Sequence, residues 1–232
     1  MNGTCARAVI WDLDGTLVDS AADLAAALNG VLGRHGLEPR SPDEVRGMIG
    51  DGVSELLRRG FAAAGRPLTP AEVPVLRREF MALYGQCATR QTRPMPGAAE
   101  VLAALSDCGW RHAVCTNKPT GISCAILEAL GLSRCIETVV GGDAGLPLKP
   151  DPAPLRACLE ALGLAPEQAV MVGDSVNDAA AARAAGVQVV FVRSGYGPPL
   201  GGDPDADACV DSLGEIPPIA ARLTATARRS HP

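Results

Sequence analysis

Two acidic clusters carry groups that could do chemistry together. Asp12-Leu13-Asp14-Gly15-Thr16 follows one apolar run, and Gly173-Asp174-Ser175, with Asn177 and Asp178, follows another. In an open α/β sheet, ligands bind beyond the carboxyl ends of the strands. Two carboxylates two residues apart at such an end project toward one crevice. Gly15 permits a tight turn that brings backbone close to a ligand. Asp174 stands at the end of its own run, and Asp178, one turn later, lies on the same side of the following helix. Carboxylates at two separate strand ends form a hard-oxygen set that suits Mg²⁺. Each cluster alone has a plainer reading, as an Asx-type turn or as a helix N-cap. A cap accounts for one of the acids but not for the set.

Two further groups lie between them. Thr116-Asn117-Lys118 follows the run RHAVC, where a hydroxyl and backbone N–H groups at the start of a helix make an anion cradle. Taken alone it is a helix cap. Lys149-Pro150-Asp151-Pro152 sets a lysine beside a proline-stiffened turn that would aim its ammonium. Taken alone it is a solvated loop lysine.

The elements that must position these groups are legible as short apolar runs: RAVIWD at 7–12, RHAVCTN at 111–117, IETVVGG at 136–142, AVMVGD at 169–174, VQVVFV at 187–192 and a weaker ACVD at 208–211. Near-continuous apolar runs suit parallel strands covered on both faces. Helical patterns over 97–109, 120–131, 152–163 and 175–186 separate them, the last three stopping at Gly131, Gly163 and Gly186. This alternation predicts an α/β fold, a doubly wound, mostly parallel Rossmann-like sheet. The region from 19 to 91 differs. It shows helical patterns only, at 19–33, 42–49, 52–64 and 70–88, with no strand signal. The expected organisation is a core domain of 1–18 and 92–232 with a small α-helical cap domain, 19–91, inserted after the first strand. QTRPMPG at 91–97 would be the return hinge, stiffened by its two prolines. The stretch GYGPPLGGDPD after 195 reads as loop.

Composition bounds the function. The chain has 232 residues, 47% hydrophobic and 20% charged, which excludes a disordered chain. Aromatics at 3% disfavour a base-stacking platform, and a net charge of -5 disfavours binding to a polyanion, so no nucleic-acid partner is expected. No apolar stretch approaches ~20 residues, so no membrane span is expected. MNGTCARAVIWDLDG has no long apolar run before Asp12, so the start reads as no signal peptide and the chain as cytoplasmic. Eight cysteines show neither C-x-x-C nor Cys/His zinc-ligand spacing. They read as small buried hydrophobes in a reducing compartment. His35 and His112 fit no metal or triad spacing, and His231 falls in a terminal tail expected to fray.

The order D-x-D-G-T, T-N, K-P, G-D-S-x-x-D resembles the four signature motifs of the haloacid dehalogenase superfamily of phosphohydrolases. The resemblance runs from Asp12 to Tyr196. Within it, RPMPGAAEVLAAL, AVCTNKP, VVGGD, KPDPAPL and MVGDSVND are similar to the phosphoglycolate phosphatases, which carry a small helical cap. Asp14 and Thr16 differ from the residues that dehalogenases, phosphonoacetaldehyde hydrolases and β-phosphoglucomutases place there. The resemblance implies a Mg²⁺-dependent hydrolysis of a small phosphomonoester, 2-phosphoglycolate foremost. In it Asp12 is the nucleophile that forms an aspartyl-phosphate, and Asp14 is the general acid and base. Mg²⁺ is held by Asp12, the backbone carbonyl of Asp14, and Asp174. Thr116, Asn117, Lys149 and Gly15 surround the phosphoryl group, and Asp178 and Ser175 stand behind the ligands. Gly50, Asp51 and Gly52 form the cap loop over the leaving group, with Asp51 expected to face outward because a carboxylate in the pocket would repel an acid. Arg46 or the backbone near Gly50 to Val53 would supply a donor, while Arg58 and Arg59 read as solvent-facing. The alternatives are a phosphatase for a sugar phosphate or biosynthetic intermediate, a phosphomutase, or a non-catalytic binding protein. The partner is a small molecule, with the chain a monomer or homodimer.

Overall fold

A computed structural model describes residues 6–197 and 205–227 of the chain. Cys5, His231 and most of the loop expected after 195, its residues 198–204, lie outside the described residues. The first half runs β1 (Arg7–Trp11), β2 (Val18–Asp19), α1 (Ala21–Arg34), α2 (Pro42–Arg46), α3 (Val53–Ala63), α4 (Val73–Cys87) and β3 (Arg93–Pro94). Strand and helix then alternate: α5 (Ala98–Asp107), β4 (Trp110–Cys115), α6 (Thr120–Ala129), β5 (Thr138–Val140), α7 (Ala153–Leu162), β6 (Ala169–Gly173), α8 (Val176–Ala185) and β7 (Gln188–Val192). β8 (Ala208–Val210) and α9 (Ile216–Ala227) close the chain.

Six strands form one parallel sheet in the order β5-β4-β1-β6-β7-β8. The chain winds outward from β1 through β4 to β5, then returns to the other side of β1 as β6. The order therefore reverses beside β1, where an open α/β sheet leaves a crevice. Trp11, the last residue of β1, pairs with Val114 on one side and Val172 on the other. Asp12, Thr116 and Asp174 thus follow the ends of three adjacent strands.

The sheet is covered on both faces, as its apolar runs require. Val9 and Trp11 point into one buried cluster and Ala8 and Ile10 into the other. Helices α5 and α9 supply Leu102, Leu105 and Ile216 to the first cluster, and α7 supplies Leu155 and Leu159 to the second. The first cluster runs on into the four helices between β2 and β3. In α4 the inner stripe is Val73, Leu76, Phe80 and Tyr84, spaced three to four residues apart as one helical face demands. Truncating fully buried Phe80 to alanine would cost about 3–5 kcal/mol.

The expected helices are present, with one that ends early: the pattern at 42–49 forms a helix only through Arg46, where Gly47 follows. A correction concerns the crossings between the helical segment and the sheet. β2 and β3 pair antiparallel, Val18 with Pro94 and Asp19 with Arg93. A two-residue strand carries no periodicity, so the sequence shows no strand there. The return crossing is also pinned to α1. Fully buried Asp23 accepts from the backbone of Gln91 and from both the backbone and the hydroxyl of Thr92. Among the described residues no helix is long and apolar enough to cross a membrane. Cys115 and Cys158 are buried free thiols, as expected of small core residues, whereas Cys108 and Cys124 are exposed.

Candidate active site

The site begins with the turn after β1. Asp12 leaves the strand with its N–H donating to Val172 O at 2.8 Å, and its side chain is buried. Gly15 follows at φ +85°, and a Cβ there would lie 2.3 Å from Asp174 Oδ2. Only glycine fits that backbone and that approach. Thr16 Oγ1 then donates to Asp174 Oδ1 at 2.9 Å, so the first motif grips the fourth directly.

Asp174, past the end of β6, is held from its other side by the segment after β7. Tyr196 N donates to Asp174 Oδ2 at 2.6 Å. The Tyr196 hydroxyl reaches the β2 crossing, accepting from Ser20 N at 2.7 Å and donating to Asp19 Oδ1 at 2.5 Å. Ser175 caps α8 in a capping box with Asp178: Ser175 Oγ accepts from the Asp178 backbone, and Asp178 Oδ2 accepts from Ser175 N at 3.0 Å and Oγ at 2.6 Å. The helix-cap reading of these residues is therefore realised.

Lys149 is buried among acids. Its Nζ donates to Asp178 Oδ1 at 2.6 Å and to Cys115 O at 2.7 Å, and lies 2.9 Å from Asp12 Oδ1. The contact to Asp12 is an ion pair whose angle leaves Oδ1 buried without a hydrogen bond. Asp12, Asp174 and Asp178 each bring a carboxylate oxygen within 4.8 Å of the others.

Three buried acids against one lysine leave a negative excess. Burial, with the charges of Asp178 and Asp14, pushes Asp12 up to about 6 against the pull of Lys149. Burial, then the charges of Asp12 and Asp178, pushes Asp174 up to about 8. Burial works against the charge of Lys149, but the two carboxylates outweigh it and hold its pKa above the ordinary lysine range. A divalent cation is the group that relieves this strain, and the donors fit one: hard oxygens, an orphaned Asp12 Oδ1, and mutual repulsion. Both oxygens of Asp178 are already engaged by Lys149 and Ser175. Asp174 too has both oxygens hydrogen-bonded, to Thr16 and Tyr196, so of the three acids Asp12 is the one with an oxygen, Oδ1, that has no hydrogen bond.

Asp14 turns its carboxylate away from this cluster. It takes both oxygens to Lys118 Nζ, at 2.7 and 2.8 Å, and accepts from Ser20 Oγ at 2.5 Å. Lys118, in turn, lies 4.8 Å from the ring centre of Tyr84 in α4. Asp12, Asp14, Lys118 and Tyr84 line one cavity between the sheet end and the helices.

Thr116 and Asn117 are both buried at the end of β4. The Thr116 hydroxyl accepts from Lys118 N at 3.2 Å and lines the same cavity. The side chain of Asn117 is consumed as a tie. Its Nδ2 donates to Gly50 O at 2.9 Å and Lys149 O at 3.0 Å, and its Oδ1 accepts from Lys149 N at 2.9 Å. It fixes Lys149 and the Gly50 loop together, leaving only its backbone for a ligand.

The expectation for Asp51 needs correction. Its side chain does not face outward: Oδ1 accepts from Asn177 Nδ2 at 2.6 Å, and Oδ2 pairs with Arg59. Both Asp51 and Arg59 line a wide cleft shared with Asp12 and Asp174, and Arg59 is exposed there, as expected. Helical periodicity shows which face of α3 is polar, not that this face meets a cleft. Arg58 pairs with Glu55 on its own helix, as a surface charge does. Arg46 is committed to Asp43 and Asp19 and stacks on Tyr196. It lines neither the cavity nor the cleft. Gly50 and Gly52 do border the cavity.

Three residues of the site carry no role in the sequence reading: Lys118, Tyr84 and Tyr196. Lys118 has a signal, its place directly after the T-N pair. Tyr196 follows the last long strand and neighbours two glycines, while Tyr84 reads only as a core residue of its helix.

Comparison with known proteins places this geometry. The family model described as haloacid dehalogenase-like hydrolase matches residues 9–192. A phosphoglycolate phosphatase of Caulobacter vibrioides is 46% identical over 188 residues, 81% of this chain and 79% of that protein. Another, of Rhodospirillum rubrum, is 46% identical over 196 residues, covering 82% and 80%. A crystal structure from Haemophilus somnus 129PT, described as a predicted phosphoglycolate phosphatase, superposes with a TM-score of 0.83 at 35% identity, covering 94% of this chain and 99% of that one.

Proposed function

The chain belongs to the haloacid dehalogenase-like hydrolase family, a phosphoric monoester hydrolase by that kinship, and on this premise we propose that it hydrolyses 2-phosphoglycolate to glycolate and phosphate at Asp12. The observation that carries the reading is the meeting of Asp12 and Lys149 at 2.9 Å, with Asp14 and Thr116 lining the same cavity as Asp12.

Asp12 is the nucleophile. Its carboxylate attacks phosphorus, forming an aspartyl-phosphate as the glycolate oxygen leaves. Lys149 and the Thr116 hydroxyl hold phosphoryl oxygens, with the backbone at Asn117 and Gly15 closing the cradle. Phosphoryl transfer depends on such positioning and charge stabilisation more than on covalent chemistry. Asp14 gives a proton to the departing alkoxide, then takes one from the water that cleaves the acyl phosphate. Its hydrogen bond from Ser20 and its ion pair with Lys118 keep it aimed along one direction for both tasks. Mg²⁺ would be held by Asp12, Asp174 and the backbone carbonyl of Asp14. When bound it supplies positive charge that offsets the anionic nucleophile and phosphate. Asp178 and Ser175 orient Lys149 from behind.

The helical segment 19–91 acts as a cap. Hydrogen bonds near the site that close it on the core include Asn117 to Gly50 O and Asn177 to Asp51. Their making and breaking would admit substrate and exclude water. The test is a panel of phosphomonoesters ranked by kcat/KM with Mg²⁺ present. 2-Phosphoglycolate is expected first, and a sugar phosphate ranked well above it would overturn the substrate while leaving the chemistry.

A further inference from the structure

The cavity that Asp12, Asp14 and Thr116 line has a further polar corner. Its far walls are Leu24, Ile49, Val53 and Leu56, side chains that offer a ligand no hydrogen bond. The corner is made by Lys118 and Tyr84. Lys118 is 5% exposed, and its Nζ presents three N–H donors. Asp14 takes two of them.

Tyr84 is fully buried and its hydroxyl has no hydrogen-bond partner. Its polar neighbour is the Ser20 hydroxyl, which donates its own proton to Asp14. Burial, then the charges of Asp14 and Asp23, pushes the phenol well above its usual pKa, so it is a neutral donor. A buried polar group without a partner is costly and is kept where a ligand completes it.

We infer that Lys118 and Tyr84 form the receptor for the carboxylate of the leaving group, and so set the substrate class as short phosphomonoesters that end in an acid. The inference rests on the phosphoglycolate reading and adds the residues that impose it. The Lys118 ammonium bridges two acids, Asp14 on one side and the substrate carboxylate on the other. The Tyr84 hydroxyl donates to the second carboxylate oxygen. A polyol phosphate would leave its hydroxyls against the Leu24, Val53 and Leu56 wall with nothing to bond, which such a site rejects. Tyr84 comes from the helical segment and Lys118 from the end of β4. The receptor is therefore complete only when the two parts are together, which couples recognition of the acid to closure.

The test compares 2-phosphoglycolate with ethyl phosphate, whose leaving group carries a methyl in place of the carboxylate, in the full-length enzyme and in Tyr84→Phe and Lys118→Met. Tyr84→Phe keeps the ring and removes only the donor. It is expected to lower the kcat/KM ratio of phosphoglycolate to ethyl phosphate about tenfold, mainly through KM. Lys118→Met is expected to lower that ratio further, by about a hundredfold. If both variants slow the two esters equally, so that the ratio stays at the wild-type value, Lys118 and Tyr84 serve only Asp14 or the fold and the receptor is refuted while phosphoglycolate stands. If the wild-type enzyme turns over ethyl phosphate better than phosphoglycolate, the phosphoglycolate reading falls and the receptor with it. Should Lys118→Met fail to fold by circular dichroism, Tyr84→Phe alone decides.

Discussion

Lys149 donates to Asp178 at 2.6 Å inside a site where both side chains are essentially out of solvent, 2% and 0% exposed. One lysine thereby answers for two acids, since the same ammonium faces Asp12 at 2.9 Å. Removing one partner of a buried pair costs about 3–5 kcal/mol because the other charge is stranded. Lys149→Met should lose stability of that order in urea unfolding done in EDTA. Its turnover should fall at least about 10²–10³-fold, as for the loss of a donor to developing charge. Stability within about 1 kcal/mol of wild type would show that the acids are not held by this lysine.

Asp51 and Asn177 join the helical segment to α8 through one hydrogen bond of 2.6 Å. The Asp51 side chain is 33% exposed, so the link adds little to global stability, under about 1 kcal/mol. Its effect should appear in kinetics. Asp51→Ala and Asn177→Ala should each raise KM several-fold, and the double variant should do no worse than either alone. Additive losses would mean the two residues act separately rather than as one closure contact.

Acids that are raised without metal must give up protons to bind it. Asp174 at about 8 and Asp12 at about 6 bind protons in the native state that the unfolded chain has already released. In the metal-free protein their contribution to stability is therefore present at low pH and lost as pH rises through those values. Mg²⁺ should reverse that sign. Its affinity should rise between pH 6 and 8, by up to about tenfold per unit, with proton release seen by calorimetry in buffers of different ionisation heat. An affinity flat across that range would separate these acids from the metal.

His112 supplies a pH effect away from the site. Trp11 Nε1 donates to its Nδ1 at 3.0 Å, which leaves the proton on Nε2. Burial pushes its pKa down to about 4, against the Leu102 carbonyl and Glu137, whose charge is also paired with Arg111. The unfolded histidine, near 6.5, takes up a proton that the native one refuses. Its contribution is thus present above about 6.5 and lost as pH falls to about 4, by about 3 kcal/mol. The stability difference between wild type and His112→Gln should shrink by that amount over this window in urea unfolding. A difference independent of pH would place the histidine in solvent-like surroundings.

What sequence reasoning reaches depends on range. The strand runs and the glycine-terminated helices are local signals, and the structure has them within two or three residues. Asp12 and Asp174 are legible because each follows the end of a strand whose direction the sheet order then dictates, whereas Lys149, in the loop between β5 and α7, is legible only by its place in the motif order. Lys118 to Asp14 spans 104 residues, and Tyr196 to Ser20 spans 176. No periodicity reports contacts of that length. Asp51 is misread for the same reason: a polar turn looks alike whether it meets water or a cleft. The β2–β3 ribbon is too short for any pattern.

The central claim is that the side chain of Asp12 carries the phosphoryl group. The direct measurement is to mix enzyme, Mg²⁺ and 2-phosphoglycolate, quench during turnover, reduce with borohydride and sequence the peptides by mass spectrometry. An aspartyl-phosphate at position 12 is read out as homoserine there, and Asp12→Asn should give no such product and no turnover. Continued turnover with no reduced residue at position 12, or with the mark on another residue, would contradict the account.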